Sequence, residues 1–317
     1  LVGYGAGKGS SGNTTAGGMT AVGRESFASV TTGANNIGLG YRAGYAVTTG
    51  ASNIAIGIEA MRNAVSPASS VAIGTFAGYN IKAGGTGIVH IGHNAGTYAS
   101  ASNNTFVGHE SGKGGTTSAP FSSGQYNTAV GYRTLMDFTT ADSVVAIGNS
   151  AGENITTGTG NTLVGKSSGD AITTAEYNTA VGVGSLGALT TDADNNTAIG
   201  AFAASSLNNT AAIENVAIGA YAGTGGSGAL KRTIAIGKNA LNSTGTADIE
   251  GAIAIGYNAL TAANNAAIGH SIAIGHSSLS QLTSGQINIG IGFQSFNSTT
   301  TGQFNIGIGY GTGTFNI

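Results

Sequence analysis

The 317-residue chain contains no cysteine and no tryptophan, only two prolines, and just 11 basic and 13 acidic side chains. Each shortage excludes something. Without cysteine there is neither a disulfide framework to demand an oxidising compartment nor a thiol to forbid one. Charged residues make up 8% of the chain, about a third of the share usual in soluble domains, and the net charge is −2, so no basic footprint for nucleic acid exists. The scarcity of proline and charge, with 40% apolar residues, excludes disorder, and the lack of a three-residue glycine period excludes collagen. No apolar run reaches the ~18 residues of a membrane helix and no charged and then apolar leader opens the chain, so no membrane insertion of this segment is expected.

What is abundant is glycine, at 56 positions, and much of it is periodic. An aliphatic residue followed by glycine recurs at Gly3, Gly23, Gly40, Gly57, Gly74, Gly92, Gly108, Gly131, Gly148, Gly165, Gly182, Gly200, Gly219, Gly237, Gly256, Gly275, Gly292 and Gly309. These 18 glycines span 306 residues with a mean period of 18.0, and eight intervals are 17 residues long. Such a period is too short for a helical hairpin repeat and fits a coil of a parallel β-solenoid or β-roll. The expected fold is all-β, about 18 coils of ~18 residues forming one repeat domain over residues 1–317.

The residue before each glycine is always Ile, Val or Leu, as at Val22, Ile56, Ile73, Ile147, Val164, Ile199, Ile218, Ile236, Ile255, Ile274 and Ile308. With the mostly β-branched residue two places earlier it marks one face of a short strand, read as the buried rung of the core. The opposite face carries Ala or Gly, and the third residue after each glycine is Ala, Ser or Thr, so two walls of small residues are expected. The fourth residue after the glycine is usually either Gly, as at Gly44 and Gly78, or bulky, as at Phe27 and Met61. Four residues before the glycine stands Asn in ten coils, among them Asn36, Asn53, Asn127, Asn161, Asn178, Asn196 and Asn215, which at a ~4.8 Å rung spacing can form an amide ladder. Scarce charge follows from the stacking, because a charge at a repeated position faces its own copy one rung away. So thin a coil is marginal alone, and sharing the small-residue walls among chains predicts an obligate oligomer.

The runs Ser70-Val71-Ala72-Ile73-Gly74, Asn215-Val216-Ala217-Ile218-Gly219 and Ser271-Ile272-Ala273-Ile274-Gly275, each followed after two intervening residues by Ala or Ser, resemble the head repeats of YadA-like trimeric autotransporter adhesins. Cores such as Asn127 to Gly131 are also similar to repeats of phage fibre proteins. The resemblance covers essentially the whole chain. It implies a left-handed parallel β-roll, a homotrimer with chains side by side, and a role in structure or attachment, extracellular or at a virion or cell surface, with a receptor or glycan as further partner. The end motifs Leu1-Val2-Gly3 and Phe315-Asn316-Ile317 echo internal ones, so a piece of a longer fibre protein is expected.

Specificity is expected where the period breaks. The interval from Gly108 to Gly131 is the longest, 23 residues, and holds a candidate ligand loop with Lys113, Pro120 and Phe121; a second break surrounds Ala267-Ile268-Gly269 near His270 and His276. Catalytic signals are weak. Gly38-Leu39-Gly40 and Gly5-Ala6-Gly7-Lys8 arise from the repeat or lack the residues a nucleotide loop needs. His90, His93 and His109 form no complete ligand set, and Glu25, Glu59 and Glu110 stand in non-adjacent coils, unlike the paired carboxylates of glycan-cleaving enzymes. The expectation is no enzyme, no cofactor and no metal. Tyr4, Tyr41, Tyr132, Tyr257 and Tyr310, directly after the glycine, and Thr pairs such as Thr31-Thr32 leave open a binding module that recognises glycan or ice through a side face.

Overall fold

A computed structural model describes residues 1–9, 15–82, 84–115, 121–207, 211–226, 228–242, 245–246, 248–262 and 268–313. Among them the chain is all-β and has no helix. It is a parallel β-solenoid of about 16 turns with a spacing of about 17 residues. The spacing is tighter than the mean glycine period. A few long intervals, such as the 23 residues from Gly108 to Gly131, raise that mean, and the first motif pairs through a single bridge from Val2 to Val22.

The chain divides into two compact units, Leu1–Thr159 and Gly160–Ile317. The first holds eight three-residue strands from Thr20–Val22 to Val145–Ile147. Each pairs in parallel with the next coil, in register; Ile54, Ala55 and Ile56, for example, lie beside Val71, Ala72 and Ile73. The second unit repeats the arrangement with nine strands from Thr162–Val164 to Ile306–Ile308, and adds a short side pair, Leu230–Lys231 with Ile249–Glu250.

The path between strands depends on residues in the left-handed region. In the coil of Gly57 these are Ser52 (φ 60°), Glu59 (φ 55°) and Met61 (φ 53°), and equivalent residues recur along both units. The repeat glycines themselves have φ between 122° and 139°. A Cβ at Gly74 would sit 2.5 Å from the Gly92 carbonyl oxygen, one at Gly165 2.5 Å from that of Gly182, and one at Gly219 2.7 Å from the Gly237 carbonyl carbon. The close approach inferred from sequence is therefore the next coil of the same chain. Gly23, Gly57 and Gly275 stack in the same way, whereas Gly309 has nothing nearer than a Thr312 methyl at 3.5 Å.

The inward sense of the strand is the reverse of the expectation. The middle residue is buried in every three-residue strand, and its two neighbours are not. Val22, Ile56, Ile73, Ile147, Val164, Ile199, Ile218, Ile236, Ile255, Ile274 and Ile308 all lie on the outer face, half-buried or exposed. Alternation with a period of two leaves the choice of face open, and a shift of one residue exchanges the faces. The decision comes from the interior, which is narrow and already filled from the other side of the coil. Phe27, Met61, Leu135, Leu186, Leu241, Leu260 and Leu279, four residues after the glycine, are fully buried. So are Val30, Val47, Phe138, Ile155, Ile172 and Leu189, seven residues after it. Small middle residues such as Ala55 and Ala180 are what fits between them. The small-residue walls, including Ala43, Ala60, Ala77 and Ser111, face this same interior, so they are not available for sharing between chains.

Buried asparagines join one coil to the next. Asn36 Oδ1 accepts from the Asn53 backbone N–H at 2.9 Å and from its amide at 3.0 Å, while the Asn36 amide donates to the Gly50 carbonyl at 2.8 Å. Asn127 Oδ1 accepts from the Val144 backbone N–H at 2.9 Å. In the second unit Asn161, Asn178, Asn196 and Asn215 form a continuous series, each Oδ1 taking the backbone N–H of the next asparagine at 2.9 to 3.2 Å. Each side chain thus satisfies buried backbone groups one rung away.

Candidate interaction face

The outward sense of the strands produces the most conspicuous surface in each unit. Two columns of aliphatic or threonine side chains run along the strands, one residue and three residues before the repeat glycine. Val22, Ile37, Leu39, Val130 and Ile147 in the first unit, and Ile199 and Ile218 in the second, expose 36–40% of their surface. Three residues at ~3.3 Å, with eight rungs in the first unit and nine in the second at ~4.8 Å, give stripes roughly 10 Å wide and about 35 to 40 Å long. The side chains of this stripe are clustered by the repeat, unlike singly scattered surface leucines.

Aromatic ladders flank the stripe at the position directly after the glycine. In the first unit His93, His109 and Tyr132 stack with ring centres 5.0 and 5.4 Å apart. In the second, Tyr257, His276, Phe293 and Tyr310 follow one another at 5.0, 5.0 and 5.4 Å. Tyr41 instead lies under the guanidinium of Arg42 at 5.0 Å. Two residues after the glycine the first unit alternates sign: Glu25 accepts from Arg42 Nε at 2.6 Å, and the next coil again has a glutamate, Glu59. The hydrogen bond from Arg42 holds the Glu25 carboxyl below its ordinary range. Lys113 Nζ, 2.9 Å from Glu110 Oε1, does the same for Glu110. Like charges are thereby kept off adjacent rungs, and these two carboxylates are committed to ion pairs.

The remaining candidates are dispersed. His90 is fully buried and stacked on Phe106 at 4.9 Å, away from the exposed His93 and His109. Among the described residues no three His, Asp or Glu side chains group to hold a metal ion, and no helix is long and apolar enough to cross a membrane. The first threonine of several pairs donates its hydroxyl to the next coil: Thr31 Oγ1 to the Thr48 carbonyl and Thr48 Oγ1 to the Val65 carbonyl, both at 3.1 Å, and Thr139 Oγ1 to the Thr156 carbonyl at 3.0 Å. In the long interval, Phe121 stacks on Tyr98 at 6.2 Å and the Lys113 carbonyl accepts from the Tyr98 backbone N–H at 2.7 Å. Pro120 and Ala267 lie outside the described residues, and Ile268 is buried. The sequence reading missed the second buried column, seven residues after the glycine, although the recurrence of Val, Ile, Leu and Phe there was its signal. Comparison of the chain with known protein families, with characterised proteins and with solved structures gives no match.

Proposed function

We propose that the chain is a non-enzymatic structural and attachment protein, in which copies associate side by side through the aliphatic stripe to form the shaft or head of a fibre, needle or surface adhesin. The observation that carries this reading is the row of outward β-branched side chains on successive rungs. A lone chain leaves them in water, at roughly 25 cal/mol for each Å² of apolar surface that a partner would otherwise cover. A second copy is the natural partner, because it presents the same stripe at the same rung spacing and can match it rung for rung. The number three, the left-handed winding and the surface location rest on the resemblance to trimeric adhesin heads and phage fibres rather than on geometry. Recognition of ice by the Thr pairs is disfavoured, since the first hydroxyl of several pairs already donates to the neighbouring coil.

Light scattering on the purified chain, with far-UV circular dichroism alongside, tests the proposal. A β-rich particle of three times the 30.8 kDa chain mass is the expected result. A folded monomer that stays monomeric at high concentration would overturn it.

A further inference from the structure

Away from the stripe, the first unit carries a cleft of about 310 Å³ lined by Phe76, Tyr79, Asn94, Thr97 and Tyr98. None of these is a strand residue. Two successive coils build it, with Phe76 and Tyr79 following Gly74, and Asn94, Thr97 and Tyr98 following Gly92. The rings are held by the chain itself. Phe76 meets Tyr79 edge-on at 5.7 Å, and Arg62 lies 5.6 Å over the Tyr79 ring while its Nη1 donates to the Tyr79 hydroxyl. Tyr98 is backed by Phe121, so the longest interval in the repeat serves to support one wall of this cleft. The Thr97 hydroxyl is oriented by the carbonyls of Phe76 and Asn94, at 3.2 and 3.0 Å. Asn94 sits at φ 58° and is half-buried.

We propose that this cleft binds one pyranose ring of a neutral glycan. Aromatic walls suit the apolar C–H face of a sugar, and the fixed rings lower the ordering cost of binding. The Asn94 amide offers both a donor and an acceptor for neighbouring hydroxyls. No carboxylate or cation lines the cleft, which argues against a charged ligand, and the volume is at the small end for ligand sites, enough for a single ring. The assignment does not depend on how many chains assemble.

Saturation-transfer NMR on the full chain with the methyl glycosides of glucose, galactose and N-acetylglucosamine tests it. At least one should receive saturation, with a dissociation constant in the millimolar range. Tyr98→Ala should weaken that binding at least tenfold, and so should Asn94→Gly, which removes the amide but accepts the left-handed backbone. Tyr177→Asn, at an exposed position of the other unit whose φ of 56° asparagine accepts, should leave it unchanged. If Tyr98→Ala alters the circular dichroism spectrum, the Asn94→Gly result decides. Failure of all three glycosides to bind, or binding indifferent to Asn94 and Tyr98, would overturn the proposal.

Discussion

His90 occupies a strand position that is alanine in most coils, and this ties its ionisation to folding. Its imidazole is fully buried, neither ring nitrogen has a hydrogen-bond partner, and burial pushes its pKa down to about 3 from 6.5. The unfolded chain therefore binds the proton first. Stability from this site is complete above pH 6.5 and is lost as pH falls toward 3, at up to ~1.4 kcal/mol per pH unit. A fall in denaturation midpoint from pH 7 to 5 that a His90 substitution removes therefore reports His90, whereas Asp137, whose carboxyl burial pushes up, favours the folded state as pH falls. In His90→Phe that fall should disappear, because Phe106 holds the same place in the next coil, and loss of an unpaired buried N–H should raise stability at pH 7 by ~1–3 kcal/mol. An unchanged pH dependence in chemical denaturation would contradict this account. The repeat glycines give a second contrast. Gly74→Ala meets both a positive φ and the Gly92 carbonyl, whereas Gly309→Ala meets the positive φ alone. Thermal melts should show the larger loss at Gly74, exceeding the ~1–3 kcal/mol expected of backbone strain alone.

Within a coil, two positions trade volume. His90, Phe106 and Leu163 are the strand centres larger than alanine, and each is followed six residues later by glycine, at Gly96, Gly112 and Gly169. Where the later position is Phe27, Met61, Leu135 or Leu186, the centre is alanine. A side chain at Gly112 would overlap the Phe106 ring, and one at Gly169 would meet Leu163 at 2.8 Å. Phe106→Ala should cost ~3–5 kcal/mol through the cavity it leaves, and Gly112→Leu should also destabilise through overpacking. The double variant reproduces the Ala129 and Leu135 arrangement of the next coil, left-handed backbone included, so urea denaturation should find it more stable than the sum of the single losses implies. Additive losses would mean that the two positions do not share one space. The same coupling explains what was legible in the sequence. The glycine column and the small residues three places on were readable because close approach leaves only those types, and the asparagines because their position recurs. Which strand face points inward was not readable from alternation alone, since Ile54-Ala55-Ile56 alternates equally well in either sense. The bulky residues four and seven places past the glycine settle it, and their inward orientation is a property of the folded coil. The cleft at Tyr79 and Tyr98 was hidden for another reason: it joins residues of two coils that share no repeated identity.

At the scale of the whole molecule, the proposed side-by-side association places the outer stripe of each unit between chains. In a monomer, replacing a 37–40% exposed aliphatic residue by lysine places the ammonium in water and is nearly neutral, within about ±0.5 kcal/mol. In an assembly joined through the stripe the same replacement buries a charge against its symmetry copies, which is strongly unfavourable without a partner. Ile147→Lys in the first unit and Ile218→Lys in the second separate the two cases, because each is an exposed aliphatic side chain on the outer strand face of its own unit. The expected outcome is that either variant lowers the oligomer mass measured by light scattering toward that of one chain, and that the separated chains retain β-rich circular dichroism or aggregate through the remaining stripe. Ile56→Val, which keeps the face apolar, should leave the oligomer intact. If both lysine variants keep the parent mass and melting temperature, the stripe is not the joint between chains, and the assembly must use the aromatic ladders or the turn faces instead.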